Sequence, residues 1–248
     1  MMKFSIITVS RNNANTIAQT ITSLQTQQIH DVQHIFIDGA STDGTQSVIR
    51  AAARPGDFVI SEPDRGIYDA MNKGLRLATG DVIGILNADD HYKDAAVLAK
   101  VAAAFEKSAL QCVYGNVEFF DRRNPDRVTR RYNSGHFSPS RLALGLMPAH
   151  PATFYRRQVY ERLGSFKADY KIAADFEFTI RAFWKTGLAA HYLAETLVRM
   201  QQGGASSSGL RSKWVLNREI LRALRDNGVR SSPLHLAAKI PLRLLELR

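Results

Sequence analysis

Two adjacent carboxylates, Asp89 and Asp90, directly follow the VIGIL run Val82–Leu86. Two other β-branched runs also end in polar clusters, the first at Ser10-Arg11-Asn12 and the second at Asp38-Gly39-Ala40-Ser41. Carboxylates alone would repel a phosphate-bearing ligand. A hard divalent ion, Mn²⁺ or Mg²⁺, bridges carboxylate and phosphate oxygens and removes that conflict. Asp89 and Asp90 are therefore read as metal ligands facing a nucleoside diphosphate. The competing reading is a turn that caps a helix over Ala95–Phe105, and placement straight after a buried run favours the metal. Asp38 could accept a hydrogen bond from a base N–H or a ribose hydroxyl, or it could close an Asx-turn. Ser10 and Arg11 would face the base or the phosphates, Arg11 with a solvated loop charge as its alternative.

These clusters need a scaffold that brings strand ends together. Phe4–Val9, His34–Ile37, Asp57–Ile60 and Val82–Leu86 read as strands. Helices are expected over Asn15–Gln28, from a Ser41 or Thr42 cap to about Ala53, and over Ile67–Leu77. A strand apolar on both faces, such as VIGIL, belongs in a parallel sheet covered by helices on both sides. Strand–helix alternation through the first 90 residues predicts an α/β sandwich whose ligands bind beyond the carboxyl ends of the strands. Further on, residues 112–132 read as two strands about a turn at Arg122–Asp126, and 158–164 and 175–187 as helices. Gly203–Gly209 is a loop by composition. A helix at Leu210–Asn227 and a basic amphipathic stretch Pro233–Arg248 follow.

With 45% apolar residues, the 248-residue chain can bury a core and is not a disordered chain. Its single cysteine, Cys112, forms no internal disulfide and, with no zinc spacing, fits a reducing compartment. No apolar run approaches the roughly 18 residues of a membrane span. The expectation is a cytoplasmic protein with peripheral attachment at the cytoplasmic face of the inner membrane. The net charge of +10 is uneven: residues 1–90 hold 7 basic and 10 acidic side chains, and residues 211–248 hold 9 and 3. A basic rear suggests an anionic partner surface or a solvated face. Neither a Gly-x-Gly-x-x-Gly nor a Gly-x-x-x-x-Gly-Lys-Ser/Thr motif is present, so dinucleotide binding and an ATPase-type phosphate loop lack their fingerprints.

Taken in order, Phe4–Asn13 (FSIITVSRNN), Ile37–Thr45 (IDGASTDGT), Ser61–Gly74 (SEPDRGIYDAMNKG), Ala78–Asp90 (ATGDVIGILNADD), His150–Arg156 (HPATFYR) and Ile172–Arg181 (IAADFEFTIR) resemble family 2 inverting glycosyltransferases of the GT-A fold. They look most like the branch that builds bacterial exopolysaccharides of the colanic-acid type. The resemblance implies a Rossmann-like, mostly parallel central sheet flanked by helices, with a C-terminal helical tail. It divides the chain into a catalytic domain over 1–205 (a nucleotide-sugar half, 1–95, and an acceptor half, 96–205) and a loop and basic tail over 206–248.

The resemblance also implies roles. Asp38 contacts the base, Asp64 and Arg65 close over base and phosphates, and Asn72 belongs to the same donor-binding set. Asp89 and Asp90 form the metal and ribose motif. Because Asn87 stands where many relatives have Asp, Asp90 is taken as the main ligand, with Asp89 shared between ribose and metal. Asp175 is the catalytic base. Its apolar company, Ala173, Ala174, Phe176 and Phe178, suits such a base, although a helix N-cap is the simpler reading of the residues themselves. Glu177 is its substitute. His150, Gly203 and Gly204 lie toward acceptor and diphosphate.

The implied activity is transfer of a sugar from a nucleotide-sugar, by default a UDP-sugar, to a hydroxyl of a glycan or lipid-linked acceptor, with a divalent metal as cofactor. The tail Pro233–Arg248 would dock on an anionic membrane or pack on protein. Two other classes fit parts of the pattern. A sugar-phosphate nucleotidyltransferase would need a Gly-rich phosphate loop at Ser10–Asn15. A nucleic-acid-binding module would need an aromatic platform among the basic residues. Neither feature is present, and no nucleic-acid partner is expected.

Overall fold

The structure is a computed structural model that describes residues 2–107, 109–121, 123–202 and 209–238. Its first half follows the alternation: β1 (Phe4–Ser10), α1 (Ile17–Gln25), β2 (Val32–Asp38), α2 (Thr45–Ala52), β3 (Phe58–Ser61), α3 (Ile67–Leu77) and β4 (Val82–Ile85). The second half adds β5 (Asp90–Tyr92), α4 (Val97–Glu106), β6 (Cys112–Asp121), β7 (Asn124–Tyr132), β8 (Thr153–Arg156), α5 (Arg157–Leu163), α6 (Ala174–Thr179), β9 (Ala190–Gln201), α7 (Gly209–Asp226) and α8 (Pro233–Ala237).

One sheet runs in the order β3-β2-β1-β4-β8-β6-β9-β5, with β7 against β6. β1 to β4 are parallel, and their register sets Ser10 beside Asp38 and Asp38 beside Ser61. The polar strand ends therefore share one rim, as the sheet rule requires. β8 enters antiparallel between β4 and β6. Its first residues thus lie at the level where β4 ends, and the preceding turn His150–Ala152 reaches the same rim. VIGIL is buried throughout, and Phe4, Ile6, Ile7, Ile35, Phe36 and Ile37 are fully enclosed. Each such side chain gives about 1.5–3 kcal/mol of apolar burial.

Four sequence expectations change. α2 has no Ser41 or Thr42 cap: it starts after Gly44, and Ser41 serves Asp38 instead. The helix read over 175–187 is α6 followed by a π-helical turn, Ile180–Lys185. The sequence pattern does not signal β5, β8 or β9. Finally, a boundary at 205 does not separate two packing units, because Ile220, Ala223, Leu224, Val229 and Leu236 join the core that contains Ile7, Tyr68 and Phe176. The Gly203–Ser208 part of the loop and residues 239–248 of the basic tail lie outside the described residues.

Candidate active site

The first two strand ends are stitched by side chains. Asp38 is buried, and its carboxylate accepts from Ser10 Oγ (3.1 Å), Ser61 Oγ (2.7 Å), Ser41 N (2.9 Å) and Ser41 Oγ. Burial alone would raise the Asp38 carboxyl pKa, but the hydrogen bonds from Ser41, Ser61 and Ser10 outweigh it and hold it below the usual carboxylate range. A carboxylate has about four lone-pair sites, and all are occupied here. Asp38 therefore braces the rim in its turn role. Ser10 is likewise buried and committed to Asp38. Ala40 (φ 54°) and Asn12 (φ 56°) adopt left-handed backbone. The bend at Ala40 returns Ser41 to Asp38, at a cost of about 1 kcal/mol.

Gly39 is required by a close approach. A Cβ there would collide with Asp64 Oδ2 and would stand 3.5 Å from Arg11 Cβ. Arg11, Gly39 and Asp64, from just past the ends of β1, β2 and β3, thus meet. Asp64 Oδ1 accepts from Gly66 N at 3.0 Å and shapes the turn into α3. Arg65 is exposed and paired with Asp69 at 3.1 Å. Asn72 is buried, its Nδ2 donates to Phe166 O (2.8 Å) and its Oδ1 accepts from Phe166 N (3.0 Å). With both polar atoms bonded to the Phe166 backbone, it pins α3 to that segment.

The end of β4 is built in the opposite way. Asp90 opens β5 opposite Met200 of β9 and is 1% exposed, while Asp89 is half-buried. Neither caps α4, where Asp94 Oδ1 accepts from Ala96 N instead. Burial pushes the Asp89 carboxyl above its usual pKa. Burial, and then the negative charge of Asp89, push Asp90 well above it. The Asp90 carboxylate is turned to Asn87 Nδ2 (3.3 Å) and the backbone of Gln201. Asn87 Oδ1 is buried and has no hydrogen-bond partner among the described residues. An orphaned carbonyl oxygen beside two desolvated carboxylates is an all-oxygen donor set that suits a hard divalent ion. Among the described residues no group of three or more His, Cys, Asp or Glu could hold a metal. An ion here would need further oxygens from its ligand. Asp89 is the more exposed of the two carboxylates.

Asp175 is half-buried at the start of α6. Its Oδ1 accepts from Tyr68 Oη (2.9 Å) and Phe176 N (2.9 Å). No donor among the described residues meets Oδ2. Tyr68 stands in the first turn of α3, just past the Asp64–Gly66 turn, so it ties Asp175 to the strand-end rim. The same hydroxyl reaches Ile172 O at 2.5 Å. Burial, and then the charge of Asp175, raise the Tyr68 pKa well above normal, so it stays a donor. Tyr68 had no sequence signal beyond its place in a helical turn. His150 packs edge-on against Phe166, with Nε2 buried and unpartnered. Burial lowers its pKa and the nearby Asp175 carboxylate opposes that.

Glu177 is corrected. It is fully buried and bonded to Arg181 Nε (2.9 Å), Lys167 Nζ (2.9 Å) and Asn227 Nδ2 (3.3 Å). It is a structural ion-pair hub and cannot stand in for Asp175. Gly203 and Gly204 lie outside the described residues.

A mostly parallel central sheet flanked by helices is the architecture of GT-A glycosyltransferases, and the fold comparisons agree. The chain superposes with a TM-score of 0.72 on Staphylococcus aureus TarS 1–349 in complex with UDP-GlcNAc, at 19% identity over 98% of this chain and 72% of that one. Another structure of the same TarS fragment is spanned over 65% of its length. With the mannosyltransferase PcManGT from Pyrobaculum calidifontis, in complex with GDP-Man and Mn²⁺, the TM-score is 0.65 at 22% identity, covering 96% of this chain and 69% of that one. The profile "Glycosyl transferase family 2" matches residues 5–164, and the chain belongs to that family. It is 33% identical over 219 residues to a PGL/p-HBAD biosynthesis glycosyltransferase of Mycobacterium bovis, covering 87% of this chain and 83% of that one.

Proposed function

We propose that this protein is an inverting, metal-dependent glycosyltransferase that moves a sugar from a nucleoside-diphosphate donor, by default a UDP-sugar, to an acceptor hydroxyl. The observation that carries the reading is the tethered Asp175: Tyr68 and Phe176 N fix Oδ1, and Oδ2 is left for a proton. In this reading Oδ2 takes the acceptor proton as the acceptor oxygen attacks the anomeric carbon opposite the diphosphate, and the configuration inverts. His150 Nε2 lies on the acceptor side and can hydrogen-bond a sugar hydroxyl. Arg11, Asp64 and Arg65 line the donor side. Asp89, with Asn87 and Asp90, would hold a divalent ion, which supplies positive charge against that growing on the departing diphosphate.

Asp175→Asn should lower turnover by about 10²–10⁴-fold and leave UDP affinity in Mn²⁺ within about twofold. Near-normal turnover in that variant removes Asp175 from the mechanism.

The acceptor is proposed to be lipid-linked, with the basic tail on an anionic leaflet. Among the described residues no helix is long and apolar enough to cross a membrane. The first part of the tail, α8, buries Leu236 and exposes Leu234, and Lys239, Arg243 and Arg248 lie outside the described residues. The full chain should float with anionic liposomes and a 1–238 truncation should not. Equal behaviour of the two ends the tail proposal.

A further inference from the structure

Helix α6 begins badly by its own sequence. Its N-cap is Ala173, which has no side-chain oxygen for the free N–H groups of the first turn. The helix is six residues long and passes into a π-helical turn, so it has little stability of its own. Yet it must hold Asp175 in place.

What holds the helix start is the segment before it, which is gripped from α7, 46 residues further along the chain from Ala173. Glu219 is 9% exposed on the inner face of α7, beside the buried Ile220 and Ala223. Its two carboxylate oxygens accept from three successive backbone amides: Lys171 N (2.7 Å), Ile172 N (2.9 Å) and Ala173 N (3.0 Å). Ile172 is then held on both sides of its backbone, by Glu219 at N–H and by Tyr68 Oη at C=O. The single Tyr68 hydroxyl proton is shared between Ile172 O and Asp175 Oδ1, which links the two. Burying a carboxylate is costly unless its hydrogen bonds are made, and here the three made by Glu219 all serve the segment leading into Asp175.

We propose that Glu219 is the positioning residue of Asp175: a carboxylate on α7 that caps the 171–173 segment and fixes the base against the acceptor. This rests on the reading of Asp175 as the base. Other α7 contacts to the same region are independent of it. Arg222 pairs with Asp169 and stacks 4.4 Å from the Tyr170 ring, and Asn227 bonds Glu177. Docking of α7 therefore survives the loss of Glu219.

The test compares Glu219→Ala, Glu219→Gln and the control Arg222→Ala in the full chain. Turnover is measured with the donor that wild type uses in a UDP- and GDP-sugar panel, UDP affinity in Mn²⁺ by calorimetry, and amide exchange at 171–173 by mass spectrometry. A misplacement near 1 Å can cost about 10²-fold in rate. Glu219→Ala should lose about that much in kcat, with UDP affinity within about twofold and faster exchange at 171–173. Glu219→Gln keeps one acceptor oxygen and should fall about tenfold. Arg222→Ala should keep kcat within about threefold. Unchanged kcat in Glu219→Ala overturns the proposal, as does a loss matched by Arg222→Ala or by a parallel loss of UDP affinity. If Glu219→Ala does not fold, Glu219→Gln decides by the same criteria. An inactive Asp175→Asn beside a normal Glu219→Ala sinks only this inference. An active Asp175→Asn sinks the base assignment itself.

Discussion

Asp38 and Asp90 stand just past neighbouring regions of one sheet rim, both buried, yet their surroundings are opposite. Asp38 is met by four donors from Ser10, Ser41 and Ser61, and its charge is settled within the protein. Asp90 is met by one long amide contact from Asn87 and by the backbone of Gln201, and is backed by Asp89, with the Asn87 carbonyl orphaned among the described residues. The same residue type is thus a brace at the end of β2 and a cost at the end of β4. A folded chain tolerates such a cost where an outside charge offsets it, which is why the β4 end, and not the β2 end, is read as the ion-binding part of the site.

Removing each carboxylate should expose the contrast. Asp38→Ala leaves three hydroxyls and an amide without their acceptor in a closed rim. By urea titration in EDTA it should destabilise by about 3 kcal/mol. A loss under about 1 kcal/mol would show that Asp38 is not the brace described.

Acid titration separates the rim from the sheet interior. Burial, with a smaller push from Arg54, lowers the His34 pKa from 6.5 to about 3. The unfolded chain therefore binds a proton that the folded chain refuses between those values. His34 contributes stability fully above about pH 6.5 and loses it as pH falls toward 3, with a slope of about 1.4 kcal/mol per pH unit. His91, lowered to about 4, adds to the same window. Asp38, held below 3.8, gives stability above that value and loses it only as pH falls through its folded value. Between pH 6 and 4.5, His34→Gln should flatten the stability profile and Asp38→Asn should not. The reverse pattern would contradict both assignments.

The smallest effect is expected at β4. Asp90→Asn removes a desolvated charge and should stabilise the EDTA-treated protein by about 1 kcal/mol at neutral pH. Destabilisation of that size would mean Asp90 already has partners enough.

The two regions also differ in how far the sequence reveals them. The rim from Ser10 to Asp90 is made by strand ends a few residues from their helices, so apolar runs and turn residues locate it, and parallel pairing does the rest. Its bonding is not legible in the same way. Whether Asp38 is satisfied depends on where Ser61 lands, and nothing local shows that both polar atoms of Asn72 bond the Phe166 backbone. The Asp175 region depends on contacts across 46 to 107 residues, from Glu219 and Tyr68. No local pattern announces them, and α7 was accordingly set outside the catalytic domain. Glu177 shares the motif with Asp175 but faces the core, because successive positions on a helix point about 100° apart.

We propose that a cation completes the β4 end and not the β2 end. This is tested most directly by calorimetric titration of UDP into wild type and Asp89→Ala, with Mn²⁺ and with EDTA. Wild type should bind UDP at least about tenfold more weakly in EDTA, and Asp89→Ala should bind it equally weakly in both. Wild-type affinity that ignores EDTA, or an Asp89→Ala protein that keeps the full Mn²⁺ enhancement, would contradict the account.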